Sequence, residues 1–123
     1  MASKGRPYRT VLVDGREVLV GRGDMENDDL TFAVAAPEDF WLHVAGGVAG
    51  SHVVVRNPEK LAALPAPVLE RAAQLAVRHS KARGRARVEV HVCRVADVVK
   101  RRGAPPGEVD LRRWERVRVR RPP

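Results

Sequence analysis

From Arg87 to Arg94 the chain alternates, with Val88, Val90 and Val92 set between Arg87, Glu89 and His91. A two-residue period puts the valines on one face of an extended chain and the polar residues on the other, which predicts a half-buried strand. A one-sided strand needs neighbours for its backbone hydrogen bonds and a second layer over its apolar face. The rest of the chain offers both. Val11 and Val13, then Val18 and Val20, flank Asp14-Gly15, a dipeptide that accepts the positive φ of a tight primed turn, so 9–20 is expected to be a hairpin. Trp41 to Ala45 and Ser51 to Arg56 are expected to pair across a flexible glycine loop at 46–50, and Val117 and Val119 alternate with arginines in a final strand from about Trp114 to Arg120.

The covering layer is predicted after Pro65 and Pro67. There Leu69, Ala72, Ala73, Ala76 and Ser80 recur at helical intervals, Arg71, Gln74, Arg78 and Lys81 fall on another face, and Gly84 is the expected stop. A short helix is expected from Leu30 to Ala36, capped by Asp28 or Asp29 and ended by Pro37, with a helical turn over 95–100. Loops are expected at 21–27 and 103–107. The fold class is therefore α+β, a mainly antiparallel sheet with one principal helix and one or two short helices. A chain of 123 residues supports one core, expected over 9–120, with a flexible N-terminus at 1–8 and a tail at 121–123.

Charge narrows the function. The net charge is +8, but from Met1 to Val77 eight Lys or Arg face ten Asp or Glu, whereas from Arg78 to Pro123 fifteen face five. A C-terminal part near +10 suits a polyanionic partner. Cys93 is the single cysteine, which excludes an intrachain disulfide and a cysteine-based zinc site. No apolar run approaches the ~20 residues that span a bilayer, and Met1 to Tyr8 does not resemble a signal peptide, so a cytoplasmic protein without membrane contact is expected.

Four constellations carry chemistry. Arg116, Arg118 and Arg120 share one face of the last strand, about 6.8 Å apart, a stride close to that of an extended nucleic-acid backbone; a solvated edge strand guarded by like charges is the plainer reading. Lys100-Arg101-Arg102 lead into a Gly/Pro loop that suits a phosphate or simply a soluble turn. The helix end carries Arg78, His79, Ser80, Lys81 and Arg83, more cations than dipole compensation requires. Asp39, Trp41, His43, Ser51 and His52 gather around the two central strands. Ser51 and His52 are neighbours that would face opposite ways in a strand, so they do not form a nucleophile and base. Asp39, His43 and His52 lack the paired spacing of a metal site, and neither metal nor cofactor is expected. Stacking by Trp41, hydrogen bonding by the histidines, and plain core packing stay open.

Together these residues resemble the NFACT-R domain, the RNA-binding module of the NFACT ribosome-quality-control family. The resemblance rests on Gly21-Arg22, Glu26-Asn27-Asp28 and Leu30-Thr31, and above all on Asp39-Phe40-Trp41-Leu42-His43 and Gly50-Ser51-His52-Val53-Val54. Ala72-Ala73, Ser80-Lys81-Ala82-Arg83, Val98-Val99-Lys100 and Gly103 to Val109 extend it. Gly23 stands where the family has asparagine, and Ala49 where it has proline before Gly50. The resemblance implies a stand-alone, non-catalytic module that binds structured RNA, tRNA or ribosomal RNA, beside the ribosome or RNA-modification proteins. The expected RNA-binding residues are Arg22, Asn27, Asp28, Asp39, Trp41, His43, Ser51, His52, Arg56, Lys81, Lys100, Arg101, Arg102, Arg116, Arg118 and Arg120. Phosphate contacts would supply affinity, and the central polar site selectivity. The competing expectations are a hydrolase or nuclease using Asp39, His43 and His52, and a basic adaptor for an acidic protein.

Overall fold

A computed structural model describes residues 6–120; of the flexible N-terminus expected at 1–8, residues 1–5 lie outside the described residues, as does the tail expected at 121–123, and Tyr8 already belongs to a strand. The hairpin forms from β1, Tyr8–Val13, and β2, Arg16–Gly21. Its turn residues Asp14 and Gly15 have φ of 50° and 79°, as the Asp-Gly signal requires. The central strands are β3, Phe40–Val44, and β4, Val53–Val55. The alternating segment is β5, Arg87–Arg94. A 3-10 turn at Val95–Asp97 leads into β6, Val98–Val99, which pairs with β7, Asp110–Leu111, in a separate two-stranded ribbon. The last strand is β8, Glu115–Arg120. Six strands make one sheet in the order β1-β2-β4-β3-β5-β8, antiparallel throughout. The fold is thus α+β with a mainly antiparallel sheet.

Two layers cover this sheet on opposite faces. The principal helix is Ala66–Arg78. Pro65 at its N-cap and Pro67 in its first turn occupy positions that need no amide donor, and the Pro65 carbonyl accepts from Val68 and Leu69. The helix lays Val68, Ala72, Ala73, Leu75, Ala76 and Val77 on Val18, Val20, Leu42, Val44, Val53, Val55 and Val90. Alanines at the contact let the helix axis approach the sheet closely. On the other face Leu19, Leu30, Trp41, Val54, Cys93, Val95 and Val98 form a smaller cluster. Among the described residues no helix is long and apolar enough to cross a membrane.

Four boundaries differ from expectation, the first being the helical turn expected over 95–100, which ends at Asp97, where β6 takes over from Val98. The short helix begins at Asp24, not near Leu30: Asp24–Asp29 is α-helical and continues as a π-helical turn over Leu30–Val34. We name the Asp24–Asp29 segment α1 and the principal helix α2. Within α1 only Asn27 is buried, so there was no apolar period to detect. Gly84 does not stop α2, which ends at Arg78. There the Ser80 amide and Oγ both donate to the Val77 carbonyl, at 3.1 and 2.7 Å. Finally, the strand expected over 51–56 spans only Val53–Val55: Ser51 N–H turns to the His79 carbonyl and His52 N–H to Asn27 Oδ1, while the His52 carbonyl still accepts from Gly21 N–H.

Candidate nucleic-acid interface

The face opposite α2 is only partly covered. Trp41 and His43 lie two residues apart on β3 and therefore share this face; cross-strand register sets His91 of β5 beside His43, and Arg116 of β8 beside His91. His52, just ahead of β4, completes the group. The Trp41 and His43 rings stack with centroids 5.8 Å apart and an 18° interplanar angle. The His52 ring stands edge-on to both, at 5.0 Å from Trp41 and 5.5 Å from His43. These rings floor a cleft of about 520 Å³ walled by the glycine loop 46–50 and by Gly107 to Val109, with Asp24 and Glu108 at its margin.

Hydrogen bonding fixes the His52 tautomer. Its Nε2 lies 3.1 Å from the Gly107 carbonyl, which can only accept, so Nε2 carries the proton. Trp41 Nε1–H donates to Thr31 Oγ1 at 3.2 Å, and Thr31 Oγ1 lies 2.8 Å from His52 Nδ1. A neutral ring accepts there from the Thr31 hydroxyl. Burial, reinforced by His43, pushes the His52 pKa down to about 4, so the ring is neutral near pH 7. His43 is different. Its Nδ1 lies 2.6 Å from the Val44 carbonyl and its Nε2 3.3 Å from the Gly50 carbonyl. A neutral imidazole can donate to only one of them, and burial lowers its pKa too. The other ring nitrogen then faces its carbonyl with no proton between them.

Both walls are anchored from behind. Ser51 N–H donates to the His79 carbonyl and Lys81 N–H to the Ala49 carbonyl, both at 2.9 Å. A Cβ on Gly50 would lie 2.7 Å from Ser80 Cβ, so only glycine permits this approach of loop to helix end. The glycine loop is therefore pinned at one end, while at its positive-φ residues, Gly46 and Gly47, an added Cβ would meet open space. The opposite wall is held by Lys100. Its ammonium donates to the carbonyls of Pro105 and Glu108, at 2.6 and 2.9 Å, and pairs with Asp28 Oδ2 at 2.9 Å. Asp28 Oδ1 in turn accepts from Gly107 N–H at 3.1 Å.

The expected site residues separate accordingly. His43 and His52 lie in the cleft. Trp41 lines it too, but at 2 % exposure it offers an edge rather than an open stacking face. Asn27 and Ser51 sit behind the wall: Asn27 Oδ1 accepts from His52 N–H, its Nδ2 donates to the Gly50 carbonyl, and Ser51 Oγ donates to the Gly21 carbonyl. Arg22 is exposed nearby. Asp39 stands apart, four residues along the chain from His43, about 13 Å in extended chain. Buried, it accepts from Ala36 and Asn57 N–H and pairs with Arg56 at 3.2 Å. Asp39 and Arg56 thus tie loops at the far end of β3, and a triad of Asp39, His43 and His52 is not assembled. Lys100 and Asp28 form the strap just described, and Arg101 is bound to Glu108 and Asp110 at 2.7 and 3.1 Å. Arg116 lies 3.6 Å from Glu89; Lys81, Arg102, Arg118 and Arg120 are exposed.

Two side chains beside the cleft escaped the sequence reading. The alternation of β5 places His91 on that face, although the sequence marks it as no more than the polar side of a strand. Trp114, 46 % exposed, lies just before β8 with its ring 5.5 Å from His91. It gives this face an accessible aromatic surface that Trp41 does not.

A twisted antiparallel sheet carrying one helix behind and a histidine-floored cleft in front defines a small α+β module. The same architecture occurs in the C-terminal part of the fibronectin/fibrinogen-binding protein from Streptococcus suis, with a TM-score of 0.84 and 32% identity over 97% of this chain and 47% of that one. The chain belongs to the family described as the NFACT protein RNA binding domain, which matches residues 7–113. It is 36% identical over 111 residues to the Rqc2 homolog RqcH of Bacillus subtilis (strain 168), covering 86% of this chain and 19% of that protein. With the Rqc2 homolog RqcH of Streptococcus suis (strain 05ZYH33) it shares 35% identity over 118 residues, 93% of this chain and 20% of that protein. The chain thus spans about a fifth of the length of these relatives.

Proposed function

We propose that this chain is a non-catalytic module that binds structured RNA, tRNA or ribosomal RNA, in ribosome quality control in the cytoplasm. The observation that carries this reading is the register of β3, β5 and β8, which sets His43, His91 and Arg116 side by side on one face. An unstacked base meets Trp114 and the imidazole edges of the cleft, while Arg116 and Arg118 meet the adjoining phosphates. Membership of an RNA-binding family and likeness to RqcH support the choice of RNA and the ribosomal setting.

The test is fluorescence anisotropy with labelled tRNA, a ribosomal RNA hairpin and a single-stranded oligonucleotide, for the wild type and for Trp114→Ala with His91→Ala. Stacking on an aromatic side chain contributes ~1–3 kcal/mol per base, so the double variant should bind an RNA with an unpaired loop at least about tenfold more weakly. Equal binding by both proteins would sink the base-stacking role. RNA cleavage that disappears in His43→Ala or His52→Ala would instead establish the hydrolytic alternative.

A further inference from the structure

Carboxylates already occupy several of the cations counted in the basic C-terminal part, including Lys100 and Arg101. On the opposite side of the β8 edge the situation reverses. Arg71, Gln74 and Arg78 of α2, Arg83 and Arg85 of the turn that follows, and Arg120 of β8 line a groove of about 400 Å³. No aspartate or glutamate among the described residues lines it. The Arg83 guanidinium makes one hydrogen bond, of 3.4 Å to the Ser80 carbonyl. The guanidinium groups of Arg71, Arg78, Arg85 and Arg120 make no hydrogen bond or ion pair with any described residue. Arg71 and Arg78 are seven residues apart, two turns of helix, and so stand on one flank about 10.5 Å from each other along the axis. A second groove adjoins this one through Gln74, Val119 and Arg120, and Glu70 is the carboxylate on its lining.

Five guanidinium groups converging without a counter-ion need an anion of several charges, and planar forked donors match phosphate oxygens. The groove also lacks any aromatic lining residue. Single-stranded RNA is held by stacking its bases on aromatic rings, whereas double-stranded RNA presents phosphates and 2′-hydroxyls with its bases already stacked. We propose that the groove between α2 and β8 is a second RNA site that grips the backbone of a double-helical stem. The arginines take phosphates and Gln74 supplies an amide for a ribose hydroxyl. The cleft on the other sheet face takes unpaired bases, so β8 separates a stem site from a loop site. This inference rests on the RNA-binding reading above and adds to it the structural class of RNA that each face accepts.

Arg71→Ala with Arg85→Ala tests it, because both side chains are exposed and a thermal melt verifies that the fold is retained. Binding of a blunt 16-base-pair RNA duplex and of a single strand of the same length is measured from 50 to 200 mM salt. For the duplex, affinity should fall at least about tenfold in the variant, and the salt slope should flatten by about one per lost contact. Affinity for the single strand should change less than twofold, and Arg71→Lys with Arg85→Lys should recover part of the duplex binding. Unchanged duplex binding, or equal losses for duplex and single strand, overturns the stem site while leaving the cleft reading standing. A wild type that binds neither RNA overturns both. Displacement of the duplex by polyglutamate as effectively as by unlabelled duplex at equal charge would reassign the groove to an acidic protein.

Discussion

His52 shows how a single residue couples the floor of the cleft to its walls. Its ring reads Thr31 and the Gly107 carbonyl, and its backbone amide reads Asn27. A histidine held neutral by burial binds fewer protons in the folded state than in the unfolded chain. Between the unfolded pKa near 6.5 and the folded pKa of about 4, the unfolded state therefore gains protons as pH falls, and stability falls with it. Stability is complete above pH 6.5 and declines through that window by about 3 kcal/mol. Urea denaturation at pH 7.5, 6, 5 and 4 should show the decline, and His52→Gln should flatten it while lowering stability at pH 7.5. A wild type equally stable at pH 7.5 and 4.5 would contradict the neutral assignment of His52.

At the scale of elements, the loop from Lys100 to Val109 behaves as a strap over the second face of the sheet. Lys100 holds it through two carbonyls and Asp28. Lys100→Ala should therefore speed hydrogen exchange at the Gly107 amide by at least about tenfold, consistent with hydrogen bonds to charged groups at ~1.5–3 kcal/mol, and leave the β5 amides protected. Most elements were legible because their signals are local. Asp14-Gly15 marks a turn, valines at alternate positions mark a strand, and alanines at helical spacing mark α2. What was hidden depends on distant partners. Asp24–Asp29 is a helix whose sole buried residue is polar; the π-turn that follows breaks the 3.6-residue period; and β6 and β7 are two residues each, joined across the strap. Within the site, the motif residues Asp39 through His43 and Gly50 through His52 were visible, but their division into cleft and scaffold was not. Asp39 looks like a catalytic carboxylate in sequence, and only the backbone amides of Ala36 and Asn57 reveal it as a loop tie.

For the whole molecule, the charge asymmetry between the two parts of the chain becomes a distribution around β8, with arginines on both sides of an edge strand. The family match ends at residue 113, before β8 begins, so the cleft lies within the matched span and the arginine ladder beyond it. If about five phosphates of a single-stranded RNA are neutralised, log affinity should fall against log salt with a slope near −3.5, from roughly −0.7 per contact. Titrations from 50 to 300 mM salt measure it, and a slope near zero would remove electrostatics as the source of affinity. The contact between Gly50 and Ser80 has a different consequence, for which residue the position tolerates. A side chain at position 50 needs the space of Ser80 Cβ, and even glycine at position 80 would leave its Cα 3.2 Å away. Ser80 also holds the end of α2 through its hydroxyl. Position 50 is therefore confined to glycine by the backbone at the end of α2 as well as by the Ser80 side chain, and no residue at position 80 relieves it.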